Sequence, residues 1–209
     1  CVWSAGKGRT LCAKMERRCT ERGEASVKKR ILLGLISVFK ALYNAVYAVM
    51  KLRPMQKKVV MISRQSNSQR PDFEQLGAEI EARDPGVRLV YLCREMGDTP
   101  LELLRYCFHL LHCAAELSTA HVCIIDGYCI PVSVLHHRKE LRVVQVWHAL
   151  GAIKKFGRQA LSVPGGRDKE LAERMGMHKH YDAVLCASHR TAKAYEEAFA
   201  AGVLGTDDC

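Results

Sequence analysis

The sequence predicts an α/β fold, a doubly wound parallel sheet preceded by an amphipathic helix. Three observations carry that expectation. Five short β-branched runs, "KKVVMIS", "VRLVYLC", "HVCIID", "LRVVQVW" and "YDAVLCAS", recur between residues 57 and 188. Each is apolar almost throughout instead of alternating, the pattern of strands buried on both faces. Helical stretches separate most of them, and strands that alternate with helices build a layered parallel sheet.

Taken in order, residues 1–27 are polar, basic and rich in Gly, Arg and Glu, and are expected to form an irregular tail. Residues 28–53 differ: "KKR" opens the run "ILLGLISVFKALYNAVYAVM" and "KLRP" closes it. Its length, about 20 residues, just suffices to cross a bilayer. Ser37, Lys40, Asn44, Tyr47 and Lys51 recur at steps of three and four and so form one polar helical stripe. Leu35, Val38, Phe39, Leu42, Val46 and Val49 cover the rest. A Lys in the middle of a span costs about 2.5 kcal/mol or more. The expectation is therefore a helix lying in a membrane interface, Lys40 toward the headgroups and Phe39 and Leu42 in the apolar layer. A spanning helix, or one packed on the protein's own core, remains the alternative.

From residue 54 the α/β domain begins. After the first strand, "DFEQLGAEIEAR" reads as a helix started by Pro71 and Asp72. "DPG" turns the chain into the second strand. Residues 100–117 form a long helix with Leu101, Leu104, Phe108, Leu111 and Ala115 on one face. "HRTAKAYEEAFAAG" is the last helix, with Gly202 as its expected stop. In such sheets ligands gather at the carboxyl ends of strands. That rule singles out Ser63, Arg64, Asp126, Gly127, His148 and Ser188.

Composition narrows the chemistry. A formal net charge of +10 predicts anionic partners, among them an anionic membrane surface or phosphorylated substrates. Aromatic residues make up only 7% of the chain, too few for the interleaved basic and aromatic surface of a nucleic-acid binder, so no nucleic acid is expected. Ten cysteines include no C-x-x-C pair, which argues against a zinc ribbon or thioredoxin-type motif. Several sit in apolar runs and read as buried reduced thiols. His109, His112 and Cys113 share a helix without a partner set. Neither a metal nor another cofactor is expected. His136 and His137, beside Arg138 and Lys139, read as a solvated basic loop. "SVPGGRDKE" (162–170) matches no nucleotide-binding fingerprint and reads as a connector or a flap. Both chain ends read as cuts, so a fragment is expected.

The most specific segment is "VVQVWHALGAIKKFG", residues 143–157. A buried strand runs into Trp147 and His148, then a glycine turn, then Lys154 and Lys155. A His at a strand's carboxyl edge suits a general base, because its reference pKa lies near working pH. It equally suits a structural cap of the strand. The lysines suit phosphate binding or a solvated surface. Arg64 suits an anion or open water. Asp126 suits orienting His148, binding a polyol hydroxyl, or capping the next turn.

"QVWHALGAIKKFG" resembles the Trp-His-Gly-Thr-Pro-x-Lys-Lys-x-Gly segment of the CDP-glycerol and CDP-ribitol polyol-phosphate transferases that build teichoic-acid polymers. The match holds at Gln145, Trp147, His148, Lys154, Lys155 and Gly157 and departs at Ala149, Leu150 and Gly151. "MISRQSNSQRPDF", "IIDGYCIP", "GMHKHYDAVLCAS" and "AYEEAFA" resemble further segments of that family in the same order. The resemblance implies a GT-B architecture, of which this chain supplies the N-terminal, Rossmann-like, acceptor-side domain (54–209) and lacks the C-terminal donor domain. It implies transfer of glycerol phosphate from CDP-glycerol to a lipid-linked polyol-phosphate acceptor, with release of CMP, at the cytoplasmic face of the cell membrane. His148 would take the acceptor's proton; Lys154, Lys155, Arg64 and Asp126 would meet the substrates. Competing readings are another GT-B transferase with a nucleotide-sugar donor, and a non-enzymatic membrane-binding module. A homo-oligomer is left open.

Overall fold

The computed structural model describes residues 5–148, 155–161, 163, 166, 168–200 and 203–205, with side chains described between residues 26 and 200. It divides into two compact units, residues 1–39 and 40–209. One helix, α1 (Ala5–Met50), begins in the first and ends in the second.

The strands are β1 (Lys58–Ser63), β2 (Arg88–Cys93), β3 (Val122–Ile125), β4 (Arg142–Gln145), β5 (Ala183–Cys186) and β6 (Val203–Gly205). They form a single six-stranded sheet in the order β2-β1-β3-β4-β5-β6. Every pairing is parallel, with Val60 opposite both Val90 and Cys123, Cys123 opposite Val143, Val144 opposite Ala183, and Val184 opposite Val203. The remaining helices are α2 (Pro71–Arg83), α3 (Pro100–Leu117), α4 (Ile130–Val134), α5 (Lys169–Arg174) and α6 (His189–Phe199), with a 3-10 turn at Gly157–Ala160.

Both faces of β1 are buried, which explains its unbroken apolar run. Val59 and Met61 pack with Phe73 of α2 and Ile124. Val60 and Ile62 pack with Tyr43 and Tyr47 of α1, Tyr106, Leu110 and Leu117 of α3, and Ile125. A separate cluster under β5 joins Val184 and Cys186 to Tyr195, Ala198 and Phe199 of α6. Thr99 and Glu102 start α3 with a reciprocal pair of bonds: Thr99 Oγ1 accepts from Glu102 N (3.2 Å), and Glu102 Oε2 accepts from Thr99 N (3.1 Å). At the foot of β1, buried Lys58 donates to Glu116 Oε2 (2.6 Å) and Thr119 Oγ1 (2.6 Å), fastening the end of α3 to the sheet.

Several expectations are corrected. The segment read as an irregular tail is helical from Ala5 onward. It contains no Pro and is rich in Lys, Arg, Glu and Ala, all good helix formers. The apolar face of α3 read from the sequence points outward: Leu101, Leu104, Phe108 and Leu111 are exposed, while Tyr106, Leu110, Cys113, Ala114 and Leu117 are buried. The last helix ends not at Gly202 but at Phe199, where Ala200 takes a left-handed conformation (φ 52°) as its cap.

The polar stripe of α1 faces the protein. Lys40 Nζ donates to Arg174 O (2.7 Å) instead of turning outward as expected. Asn44 donates to Val134 O (2.9 Å) and accepts from His136 N (2.8 Å). Tyr43 O–H donates to Leu110 O, and Lys51 Nζ donates to His136 O (2.7 Å). Tyr47 O–H meets His137 Nδ1 at 3.0 Å, and Arg138 donates to Lys51 O and Arg53 O. His137 and Arg138 are thus pinned against α1, not solvated as the sequence suggested; His136 and Lys139 are exposed. The apolar stripe is left outside: Leu35, Val38, Phe39, Leu42, Val46 and Val49 are all exposed.

Candidate active site

The chain runs from β1 to β2 on one side of the sheet, then returns to place β3 on the other side of β1. Crevices at the carboxyl ends of strands at such a reversal are where open α/β sheets bind ligands. A cavity of about 470 Å³ lies there. Its walls are Arg64 and Gln65 after β1, Gly127 and Tyr128 after β3, Trp147 and His148 after β4, and Phe156, Gly157, Met177 and His178 from later segments.

The turn after β4 is built from the buried end of that strand. Gln145 is fully buried. Its Nε2 donates to Gly127 O (3.2 Å) and its Oε1 accepts from Trp147 N (2.9 Å). That pair of bonds holds Trp147 in a left-handed conformation (φ 55°), a strained state for a bulky residue, of the kind that gathers at functional sites. The indole lies at 5.1 Å from the Phe156 ring, stacked, and meets Phe199 edge-on at 5.1 Å. The reversal brings the His148 ring within 4.1 Å of the indole. Its Nδ1 sits 2.8 Å from the main-chain oxygen of Asp126. A carbonyl only accepts, so Nδ1 carries a proton, and in the neutral ring Nε2 presents its lone pair. His148 is exposed to the cavity.

Gly157 shapes the opposite wall. Its φ is +54°, and a Cβ there would lie 2.5 Å from Ala198 O, so only glycine fits against α6.

The sequence-selected residues divide. Arg64 and His148 share the cavity. Arg64 Nη1 donates to Tyr128 O (3.2 Å), and its guanidinium lies 5.8 Å over the Tyr106 ring. Asp126 is buried and its carboxylate turns away: Oδ2 accepts from Ser63 Oγ (2.6 Å) and lies 3.7 Å from Arg70 Nη1. Burial pushes that carboxyl above its usual range, against the opposing pull of Ser63 and Arg70. Asp126 thus meets His148 through its backbone, not its side chain. Lys155 is exposed and stands outside the cavity walls; Lys154 lies outside the described residues. Of the loop at 162–170, Gly166 reaches the cavity wall.

Two contributors carried weaker sequence signals. Gln145 stood in the motif without a role. His178 is buried, left-handed (φ 59°), within 3.0 Å of Tyr181 Oη through Nδ1, and edge-on to Trp147. A "His-x-His" before a strand does not announce any of this. The arrangement as a whole offers a base with an open nitrogen, a guanidinium nearby, and a floor of aromatic rings. Among the described residues no group of three His, Cys, Asp or Glu side chains is placed to hold a metal.

Comparison with known proteins places the chain as a whole. The chain is 29% identical over 166 residues to a teichoic acid ribitol-phosphate primase of Bacillus spizizenii, covering 79% of this chain and 43% of that protein. It is 29% identical over 91 residues to a teichoic acid glycerol-phosphate primase of Bacillus subtilis, covering 44% of this chain and 24% of that one. Its fold matches the wall teichoic acid polymerase TagF with a TM-score of 0.54 at 12% identity, over 83% of this chain and 46% of TagF. The chain therefore spans less than half the length of these relatives. The Rossmann-like layer is the one expected of one half of a GT-B architecture. Residues 45–202, most of the chain, match the family described as CDP-Glycerol:Poly(glycerophosphate) glycerophosphotransferase, and the chain belongs to that family.

Proposed function

We propose that this chain is the acceptor-side half of an enzyme that transfers glycerol phosphate from CDP-glycerol to a lipid-linked polyol-phosphate acceptor in teichoic-acid synthesis. The observation that carries the reading is His148, whose Nδ1 is held by Asp126 O while Nε2 is left for chemistry beside Arg64. The acceptor hydroxyl oxygen attacks the phosphorus that bears glycerol. A new P–O bond forms, the P–O bond to CMP breaks, and CMP leaves with the electron pair. His148 Nε2 takes the hydroxyl proton as the bond forms. Arg64 meets a substrate phosphate, and positioning with cationic stabilisation does most of the work. Lys154 and Lys155, paired in the sequence motif, are assigned to the acceptor's phosphates.

The outward apolar stripe of α1 supports attachment to an anionic membrane surface. Ser26–Met50 is long and apolar enough to span a bilayer by length and composition. Yet the polar side of Lys40–Met50 is bonded to α4, α5 and the loop after α4, which favours a helix lying in the interface with its outer stripe buried in lipid.

A second reading, CDP-ribitol as donor, is favoured by the ribitol-phosphate primase match over 79% of the chain. CMP release by the enzyme carrying both domains decides. Release from CDP-glycerol in the presence of a lipid-linked acceptor is expected; release from CDP-ribitol alone selects the second reading, and no CMP from either donor, with UDP released from a UDP-sugar instead, defeats both.

A further inference from the structure

A second cavity, about 400 Å³, adjoins the first and shares Arg64, Tyr128 and Met177 with it. That volume falls within the range of ligand sites. Its chemistry is different. The remaining walls are Met96, Ile130, Leu171, Ala172, Met175 and Asp168. Asp168 is the one acid, and its Oδ1 accepts from Leu171 N (2.9 Å) as the cap of α5. Tyr128 forms the partition, its hydroxyl donating to Met175 O (3.1 Å). Arg64 stands at the junction, and among the described residues it donates only through Nη1.

We propose that this methionine-lined cavity receives the hydrocarbon chain of a lipid phosphate, whose phosphate lies on Arg64 and whose polar end enters the His148 cavity. The inference rests on the transferase reading for what the molecule does there, but not for whether it binds. Three features select this occupant. The cavity shares Arg64, Tyr128 and Met177 with the reacting site, so its occupant lies directly beside a molecule held there. The cation sits between an apolar and a polar chamber, matching the order chain, phosphate, polar group. Three methionines, flexible and polarizable, adapt to a bending chain better than they could read a base or a sugar.

The test is calorimetric titration of the chain with farnesyl phosphate, farnesol and glycerol 3-phosphate. Farnesyl phosphate is expected to bind at least tenfold tighter than either of the others. Met96→Glu, at a side chain 52% exposed and so tolerant of charge, and Leu171→Glu should each weaken farnesyl phosphate fivefold or more while leaving glycerol 3-phosphate unchanged. Arg64→Met should weaken both phosphates and leave farnesol alone. The proposal is overturned if farnesyl phosphate binds no tighter than glycerol 3-phosphate. It is equally overturned if Met96→Glu and Leu171→Glu have no effect while Leu42→Asp, on the outer stripe of α1, abolishes binding. Because binding alone is read, its failure is separate from a failure of CMP release.

Discussion

His148 and His137 both hydrogen-bond a main-chain carbonyl, yet they stand in opposite environments. His137 gives Nε2 to Val132 O (2.9 Å) and takes the Tyr47 hydroxyl on Nδ1 (3.0 Å), so both nitrogens are used. Burial, followed by the neighbouring His180, Lys51 and His136, pushes its pKa down to about 4, though the Val132 bond works the other way. It is a fixed neutral spacer between α1 and the loop after α4. His148 has one nitrogen fixed by Asp126 O and the other open to a cavity. A histidine with both bonds made holds structure, and one with a single bond made is ready for a proton.

Substitution should separate the two. His148→Ala is expected to cut CMP release about 100-fold or more in the two-domain enzyme, with the unfolding midpoint nearly unchanged because the ring is exposed. Near-normal turnover would remove His148 from the chemistry. At His137 the effect lies in stability. A folded pKa lowered from an ordinary value near 6.5 to about 4 corresponds to roughly 3 kcal/mol. That stability is complete above pH 6.5 and is lost as pH falls toward 4, where a proton on Nδ1 would oppose the Tyr47 O–H. Urea midpoints across this range should fall in the wild type, and His137→Gln, which keeps a donor and an acceptor, should flatten the curve. An unchanged slope would show that the seam does not titrate through His137.

The outer stripe of the same helix gives a smaller effect of another kind. Leu42→Asp with Val46→Asp should weaken binding to anionic vesicles about tenfold, about 1.4 kcal/mol, because side chains lying in an interface bury only part of the area that makes full burial worth roughly 1.5–3 kcal/mol each. The midpoint should hold, since both side chains are exposed. The smallest change is expected at Asp126. Its carboxyl is raised by burial, so its ionisation opposes folding increasingly as pH rises above the ordinary carboxylate value. Asp126→Asn retains an acceptor for Ser63 and should melt slightly higher than wild type at pH 7, the difference vanishing in acid. An equal difference at both ends of the pH range would assign the gain to packing instead.

Much of this architecture was legible in the residues. The strands around Val60, Val90, Cys123, Val143 and Val184 stand where continuous apolar runs put them, most plainly β1 and β3, whose burial on both faces leaves no alternation to misread. Strand β6 escaped, being three residues long at the sheet edge, too short for any period. In α3, apolar residues lie nearly all round, so spacing could define a stripe at Leu101, Leu104, Phe108 and Leu111 but not which side meets the core. In α1 the sequence defines both stripes but not that Lys40 bonds to Arg174 O, since amphipathicity does not say what each face meets. The site follows the same division. His148 stood out by its place after a strand, whereas the Asp126 carbonyl that orients it belongs to the backbone, which no side-chain pattern reveals.

The bonds that fasten α1 carry one further consequence. Lys40, Asn44, Lys51 and Arg138 all reach main-chain oxygens, those of Arg174, Val134, His136, Lys51 and Arg53. Each contact therefore depends on the identity of one residue and only on the path of the other. Positions 136 and 174 can drift without breaking these bonds, whereas the Tyr47–His137 pair, side chain to side chain, is where correlated change can act. Divergent sequences can keep the same clasp while sharing few of the residues that close it.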